Sequence, residues 1–235
     1  MNFFETIGKI FGDSELRNYL FEGFANTLLI TCFAVIIGLF LGFTVAMIKI
    51  FAVRNKAFKI PSYICSAYTT IFRGTPVALQ LFLFVFAIFA IPGFKVYAAI
   101  LCFGINSGAY VSESIRAGIL SVDKGQMEAG RSLGLSEFTT MRKIILPQAI
   151  KNVIPAIGNE IIALLKETAI ISMVGSTVGT LTFDLTKASN TIAVKLSDYF
   201  VPSLISALFY LTIVSLVALG LKLIEKRYQK NERSI

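Results

Sequence analysis

Histidine and tryptophan are both absent from this chain. Catalysis or metal binding through imidazole is therefore excluded. Charge is scarce, at 15% of 235 residues, where a soluble domain carries about a quarter. Only three cysteines occur, Cys32, Cys65 and Cys102, each in a different apolar segment. Without a CxxC or Cys/His spacing, metal and redox motifs are also excluded, and the three read as small buried hydrophobes. No Gly-x-x-x-x-Gly-Lys-Ser/Thr string is present, so the chain cannot hold ATP in a P-loop. The first twenty residues contain Glu5, Asp13 and Glu15 and lack a basic region followed by an apolar one. They do not read as a cleaved signal peptide, so membrane insertion is expected to be signalled by the first spanning helix.

What is abundant is apolar sequence. Hydrophobic residues make up 55% of the chain, and the mean hydropathy is +0.75. That composition excludes disorder, collagen-like repeats and a secreted disulfide scaffold. Several apolar runs reach bilayer-spanning length. Residues 23–48 carry no charge between Glu22 and Lys49; at 1.5 Å per residue the run reaches about 39 Å, enough to cross a core of about 30 Å with some tilt. Residues 60–94 hold Arg73 as their one charge, followed by Gly74, Thr75 and Pro76. By itself that run is either one helix interrupted at Pro76 or a hairpin of two short ones. Further stretches cover 96–120, with Glu113 and Arg116 near the far end, then 153–174, with Glu160, Lys166 and Glu167, and finally 199–221.

The distribution of Lys and Arg selects among topologies. Lys49, Arg54, Lys56 and Lys59 fall in one segment. Lys124, Arg131, Arg142, Lys143 and Lys151 fall in another, and Lys222, Lys226, Arg227, Lys230 and Arg233 at the C-terminus. Together they are fourteen of the 22 basic residues. Placing all three segments in the cytoplasm satisfies the positive-inside rule. An even number of crossings must then separate the first from the second, which requires one span across 60–94. The expectation is an all-α integral membrane protein, a single domain over 1–235. Its five spans lie at about 20–50, 58–92, 96–120, 152–174 and 199–223, with the N-terminus outside and the C-terminus inside. Only Lys9, Arg17, Lys95, Lys187 and Lys195 are left to the outer segments.

The longest cytoplasmic segment, 121–151, does not have the composition of a loop. Residues 126–133 read as one short helix, Gly134 as a break, and 136–145 as a second helix. Ser136 is its expected N-cap, with Phe138, Met141 and Ile145 on one face and Pro147 as its stop. Taken alone, it could be an amphipathic helix lying on the membrane surface.

Ordered short motifs run through the chain. Glu128-Ala129-Gly130, then Leu133-Gly134, then Ile145-Leu146-Pro147-Gln148-Ala149 resembles the EAA loop of ATP-binding-cassette importer permeases, with Gly130 where the family has its second Ala. Phe72-Arg73-Gly74-Thr75-Pro76, Asn106-Ser107-Gly108-Ala109-Tyr110, Glu113 with Arg116-Ala117-Gly118-Ile119, Gly158-Asn159-Glu160 and Leu164-Leu165-Lys166-Glu167-Thr168 extend the likeness. Over roughly residues 20–228 the chain resembles the polar amino acid (histidine/glutamine/arginine-type) subfamily. The resemblance implies a type I permease fold in a bacterial inner (plasma) membrane. It implies that 121–151 is a coupling helix seated on an ATPase, a role carried onto Glu128, Ala129, Leu133 and Gly134. It also implies two ATPase subunits holding ATP and Mg, a second permease subunit forming a homo- or heterodimer, and an extracellular amino-acid-binding protein. No cofactor is expected in this chain, which is a transport subunit and not an enzyme. Nucleic-acid binding is not expected, because the basic residues punctuate apolar runs and form no stripe.

Charges inside the spans suggest where a solute binds. Glu160 and Glu167 are seven residues apart, so they share a helix face about 10.5 Å apart along the axis. An ionised group at mid-depth costs at least about 2.5–3.5 kcal/mol unless it meets water or a partner. Two readings stay open: an internal pair with Arg73 or Lys166, or a translocation pocket. In the pocket reading, Glu160 or Glu167 holds the ammonium or a cationic side chain. Arg73 and the interrupted backbone at Thr75 hold the carboxylate, and Asn106 and Tyr110 line the site. Glu113 and Arg116, three apart, read as a structural pair. GxxxG spacings at Gly38/Gly42, Gly104/Gly108 and Gly175/Gly179 suggest close helix approach.

Two rival readings compete with this one. An ion- or proton-coupled secondary amino acid carrier would also place carboxylates at mid-depth, but it leaves 121–151 without a task. An intramembrane enzyme would need a Ser–Lys or carboxylate pair, and no spacing singles one out.

Overall fold

The computed structural model describes residues 2–53, 55–176 and 178–230, with side chains described through 227. Arg54 and Arg233, two residues of the topology reading, lie outside them. Among the described residues the chain is helical throughout, without a strand.

The order of elements follows from punctuation in the sequence. A short helix, α1 (Phe3–Gly12), ends at Asp13. Asp13 Oδ1 then accepts from the backbone N–H of Glu15 at 2.8 Å and opens α2 (Ser14–Ala52). From Gly23 to Ile48, α2 carries no charge and is apolar on nearly all sides, so no single face is forced inward. Phe33, Ile36, Phe40 and Phe43 are all more than half exposed. An apolar surface of that extent belongs in lipid or against another chain. Among the described residues two helices, Ser14–Ala52 and Phe200–Arg227, are long and apolar enough to cross a membrane alone.

The third apolar run breaks where Pro76 removes an N–H and excludes helical backbone from the residue before it. Helix α3 (Lys59–Gly74) stops there, α4 (Val77–Leu83) starts afresh, and a wide π turn covers Phe84–Ile88. The axis bends by 109° at the break, and the two pieces together meet the length and hydropathy of a span. The expected interrupted helix is thus a sharply bent pair. Helix α5 covers Lys95–Leu120.

The segment that follows differs from its reading in three respects. Helix α6 (Lys124–Ser132) begins two residues early because Asp123 caps it, accepting from the Gly125 N–H at 2.7 Å. Ser136 caps α7 (Glu137–Thr140) as expected, accepting from the Thr139 N–H. Pro147, however, does not stop the helix. A π turn at Met141–Ile145 widens the backbone, and α8 (Leu146–Glu167) runs on, with Pro147 in its first turn. A proline is tolerated there because its missing N–H would have been an orphan. The widened turn also separates Phe138, which is exposed, from Ile145, which is buried, so they do not form one face.

Past Glu167 the backbone tightens to 3-10 over Thr168–Val174. Gly175 and Gly179 both have positive φ, 74° and 82°. They make turns and do not form a helix-packing pair. Helices α9 (Leu185–Leu196) and α10 (Phe200–Lys230) complete the chain.

Two compact units emerge. One comprises the chain up to Ile36 with Thr75–Gly104 and Ile162–Val217; the other comprises Ile37–Gly74, Ile105–Ile161 and the chain from Ala218 on. The core of the first packs Ile10, Leu16, Leu20, Leu185, Ile192, Val201 and Ile205. The core of the second packs Ala46, Val111, Ile115 and Val153. In the second unit a Cβ on Gly42 would lie 2.4 Å from Val111 Cγ1, and one on Gly108 would lie 3.0 Å from Leu41 Cβ. These glycines bring α2 and α5 close, as their spacing suggested. Cys65 and Cys102 are buried, but Cys32 is exposed on α2. A helix apolar all round gives no sequence signal of which side faces inward.

Candidate functional site

Three groups of residues carry the polar chemistry. The first is the turn between α6 and α7. Leu133 closes α6 with its N–H on the Ala129 carbonyl, at 3.1 Å. Gly134 follows with φ of 77°, a conformation costly for any residue with a Cβ, and open space surrounds it. Gly130 is buried, and a Cβ there would lie 2.5 Å from Thr140 Cγ2. Glycine at this position lets the fully buried Thr140 seat α7 against α6. Outward, the element shows Glu128 and Ala129, Leu133 at 79% exposure and Phe138 at 73%. The four residues assigned to docking all lie on this exposed turn.

The second group lies in the second unit. Lys49 Nζ donates to Glu113 Oε1 at 2.7 Å and to Thr69 Oγ1 at 2.8 Å. Arg116 donates to Glu113 Oε2 from Nε at 3.0 Å and from Nη2 at 2.9 Å. The Glu113–Arg116 pair expected from spacing is present, and Lys49 makes it a triad. Lys49 had been read only as a flanking charge. Its partner is 64 residues away, so no local pattern could have shown the bond. The Arg73 guanidinium sits 5.3 Å from the centre of the Tyr110 ring, within cation–π range.

The third group holds the break between α3 and α4. Asn106 Nδ2 donates to the Phe72 carbonyl at 3.2 Å. Tyr68 Oη donates to the Ile105 carbonyl at 2.5 Å. Gln80, 5% exposed, donates from Nε2 to the Thr75 carbonyl at 3.0 Å and to Thr75 Oγ1 at 2.7 Å. A carbonyl orphaned by a broken helix costs several kcal/mol in hydrocarbon. Asn106 and Gln80 accept that task on either side of the break. Gln80 was missed; a buried amide four residues past a Pro in an apolar run was the available signal.

Of the candidate solute residues, Arg73 and Tyr110 are brought together, and Asn106 binds the neighbouring backbone. Glu160 and Glu167 are both partly buried on α8. Glu160 belongs to the second unit, Glu167 and Thr75 to the first. Arg73 makes no ion pair among the described residues.

Comparison with known proteins agrees over most of the chain. Residues 34–230 match the family described as binding-protein-dependent transport system inner membrane component. A Rickettsia conorii protein named as a glutamine transport system permease, GlnP, is 42% identical over 212 residues, 89% of this chain and 92% of its own. The arginine transport system permease protein ArtQ of Bacillus subtilis is 37% identical over 217 residues, 91% of this chain and 94% of its own. Among solved structures, an amino acid ABC transporter crystallised with histidines superposes with a TM-score of 0.82 at 36% identity, over 97% of this chain and 99% of that one. With a match of that length and relatives of that identity, the chain belongs to the binding-protein-dependent transport system inner membrane components.

Proposed function

We propose that this chain is the permease subunit of an ATP-driven amino acid importer, forming the translocation path by alternating access. The observation that carries the reading is the α6–α7 turn. A tight glycine turn displays Leu133 and Phe138 to the outside with Glu128 beside them. Exposed apolar anchors on a short rigid element suit insertion into a cleft on another protein. The partners are two separate ATPase chains, which hold ATP and Mg, a second permease copy or paralogue, and an extracellular binding protein. The names of the relatives, for glutamine and arginine transport, support an amino acid as the solute. The chain crosses the inner membrane five times, with its N-terminus outside and the 121–151 segment and C-terminus in the cytoplasm. That placement puts most basic residues inside.

An amino acid presents an ammonium and a carboxylate. Glu160 or Glu167 takes the ammonium; Arg73 and Thr75 take the carboxylate, with Asn106 and Tyr110 alongside. The decisive experiment is uptake by proteoliposomes holding the complete transporter. Gly134→Trp and Glu128→Arg are expected to abolish ATP-dependent uptake while the complex still inserts. Normal uptake in both overturns the docking role. Unchanged transport in both Glu160→Gln and Glu167→Gln removes the carboxylates from the path.

A further inference from the structure

Polar side chains on α3 recur at Ser66, Thr69, Thr70 and Arg73, intervals of three and four that put them on one helix face. Tyr110 and Glu113 of α5 and Lys49 of α2 stand against that face. With Gly74 they line an open cavity of about 490 Å³ within the second unit. Glu160 and Glu167 do not line it.

The charges around this cavity do not balance. Lys49, Arg73 and Arg116 are three cations served by one carboxylate, Glu113. Glu113 is fully engaged: one oxygen binds Lys49 and the other binds Arg116. Lys49 is held firmly, its side chain only 10% exposed. Among the described residues, Arg73 has the face of Tyr110 beneath it and no carboxylate partner. Ser66 and Thr70 are exposed, and their hydroxyls have no partner among the described residues. An exposed guanidinium and two exposed hydroxyls on a membrane-buried helix face water, because lipid would penalise all three.

A guanidinium stacked on a ring keeps its edge free, and that edge takes a carboxylate through two parallel hydrogen bonds. An ammonium would meet uncompensated positive charge in the same place. We infer that this cavity is a carboxylate-binding station, in which Arg73, helped by the Ser66 and Thr70 hydroxyls, takes the carboxylate of the transported solute. Lys49 and Arg116 hold Glu113 so that it cannot occupy Arg73 itself. Thr69 positions Lys49. The inference rests on the amino acid reading above and adds to it a defined cavity with its positioning residues.

The absence of tryptophan supplies the test. Tyr110→Trp keeps a ring under Arg73 and makes a single fluorescent reporter in the full chain, reconstituted in nanodiscs. Sodium acetate, L-glutamine and L-glutaminamide are titrated in, with chloride as the balancing anion. Acetate and L-glutamine should each change the emission saturably, and L-glutaminamide, which lacks the carboxylate, should not. Adding Arg73→Gln should weaken the acetate response at least about tenfold, as loss of a charge-assisted bond does. Lys195→Met, which removes only an exposed pair with Glu15, should leave it unchanged. Arg73→Lys, which keeps the charge without the fork, should fall between, and thermal melts confirm that each variant is folded. No acetate response, an equal response to the amide, or indifference to Arg73→Gln overturns the inference. Emission that follows phosphatidylglycerol content and ignores acetate assigns the cavity to a lipid phosphate and overturns it too. Because the chain is read here without its ATPase, failure leaves the docking of α6–α7 standing. Conversely, normal uptake by Gly134→Trp would leave this site intact.

Discussion

The segments 121–145 and 175–198 are both built from a positive-φ glycine turn and short helices capped by Asp or Ser, yet they end in opposite states. The 175–198 segment is folded back on its own chain. Gly179 N–H donates to Glu22 at 2.6 Å, Asn26 donates to the Thr180 and Phe183 carbonyls, and Leu185 N–H donates to Thr27 Oγ1. Leu185, Ala188, Ile192 and Ala193 are fully buried. The 121–145 segment packs Thr140 against Gly130 and buries Ile145, but it leaves Leu133 and Phe138 out. The difference teaches how to read a connecting segment in a membrane protein. One that has buried its apolar residues has completed its contacts, whereas one that displays them on a rigid turn has reserved them for another chain.

The comparison can be broken from either side. The largest effect is expected from Leu133→Asp combined with Phe138→Asp: ATP-driven uptake in proteoliposomes falls more than about thirtyfold, as for loss of an interface hot spot. The melting temperature of the isolated chain stays put. Retained uptake, or a collapse in melting, would show that this turn is packed like its counterpart.

Next comes the pH dependence of the closed segment. Asp184, the N-cap of α9, is fully buried, and burial pushes its carboxyl up to about 6 from an ordinary 3.8, against the pull of the Lys187 and Thr186 N–H groups. The native state therefore binds more protons than the unfolded state between those values. Stability from this group is greatest below about pH 4 and falls as pH rises towards 6, by at most ~3 kcal/mol. Thermal melts across pH 4–7 measure it, and Asp184→Asn, which still caps, should flatten the trend. A wild-type melting curve that rises over that window contradicts the assignment.

A smaller loss is expected from Gly23→Ala. The new Cβ would sit 2.7 Å from the Asp184 carbonyl oxygen and 2.8 Å from Ala188 Cβ. Such overpacking costs about 1–3 kcal/mol, read as a lower melting temperature. The least effect belongs to Lys195→Met. Its bond to Glu15, at 2.6 Å, joins side chains that are 40% and 57% exposed. Pairs of that kind add little, and no resolvable change in melting is expected.

Much of this was legible along the chain. Charge-free runs marked α2 and α10, because spanning a bilayer needs only length and apolarity. Gly134 and Ser136 announced the turn and the cap, since both act through backbone geometry within three residues. Pro147 misled because the π turn at Met141–Ile145 depends on how α7 and α8 are held, not on the dipeptide. Arg73 and Tyr110 were flagged separately; that they stack could not be known from residues 37 apart in sequence.

The sequence by itself determined that this is a helical membrane protein without imidazole chemistry or a nucleotide loop, and that its chain breaks at Pro76 and turns at Gly134. These follow from composition and from local steric rules that no fold can override. Only the tertiary structure decided that Lys49 serves Glu113, that Asn106 and Gln80 satisfy the broken helix, that Cys32 faces outward, and that one connecting segment is closed while the other is open. Each of those depends on which residues distant in sequence come within bonding distance, and a helix that is apolar on every side carries no record of its neighbours.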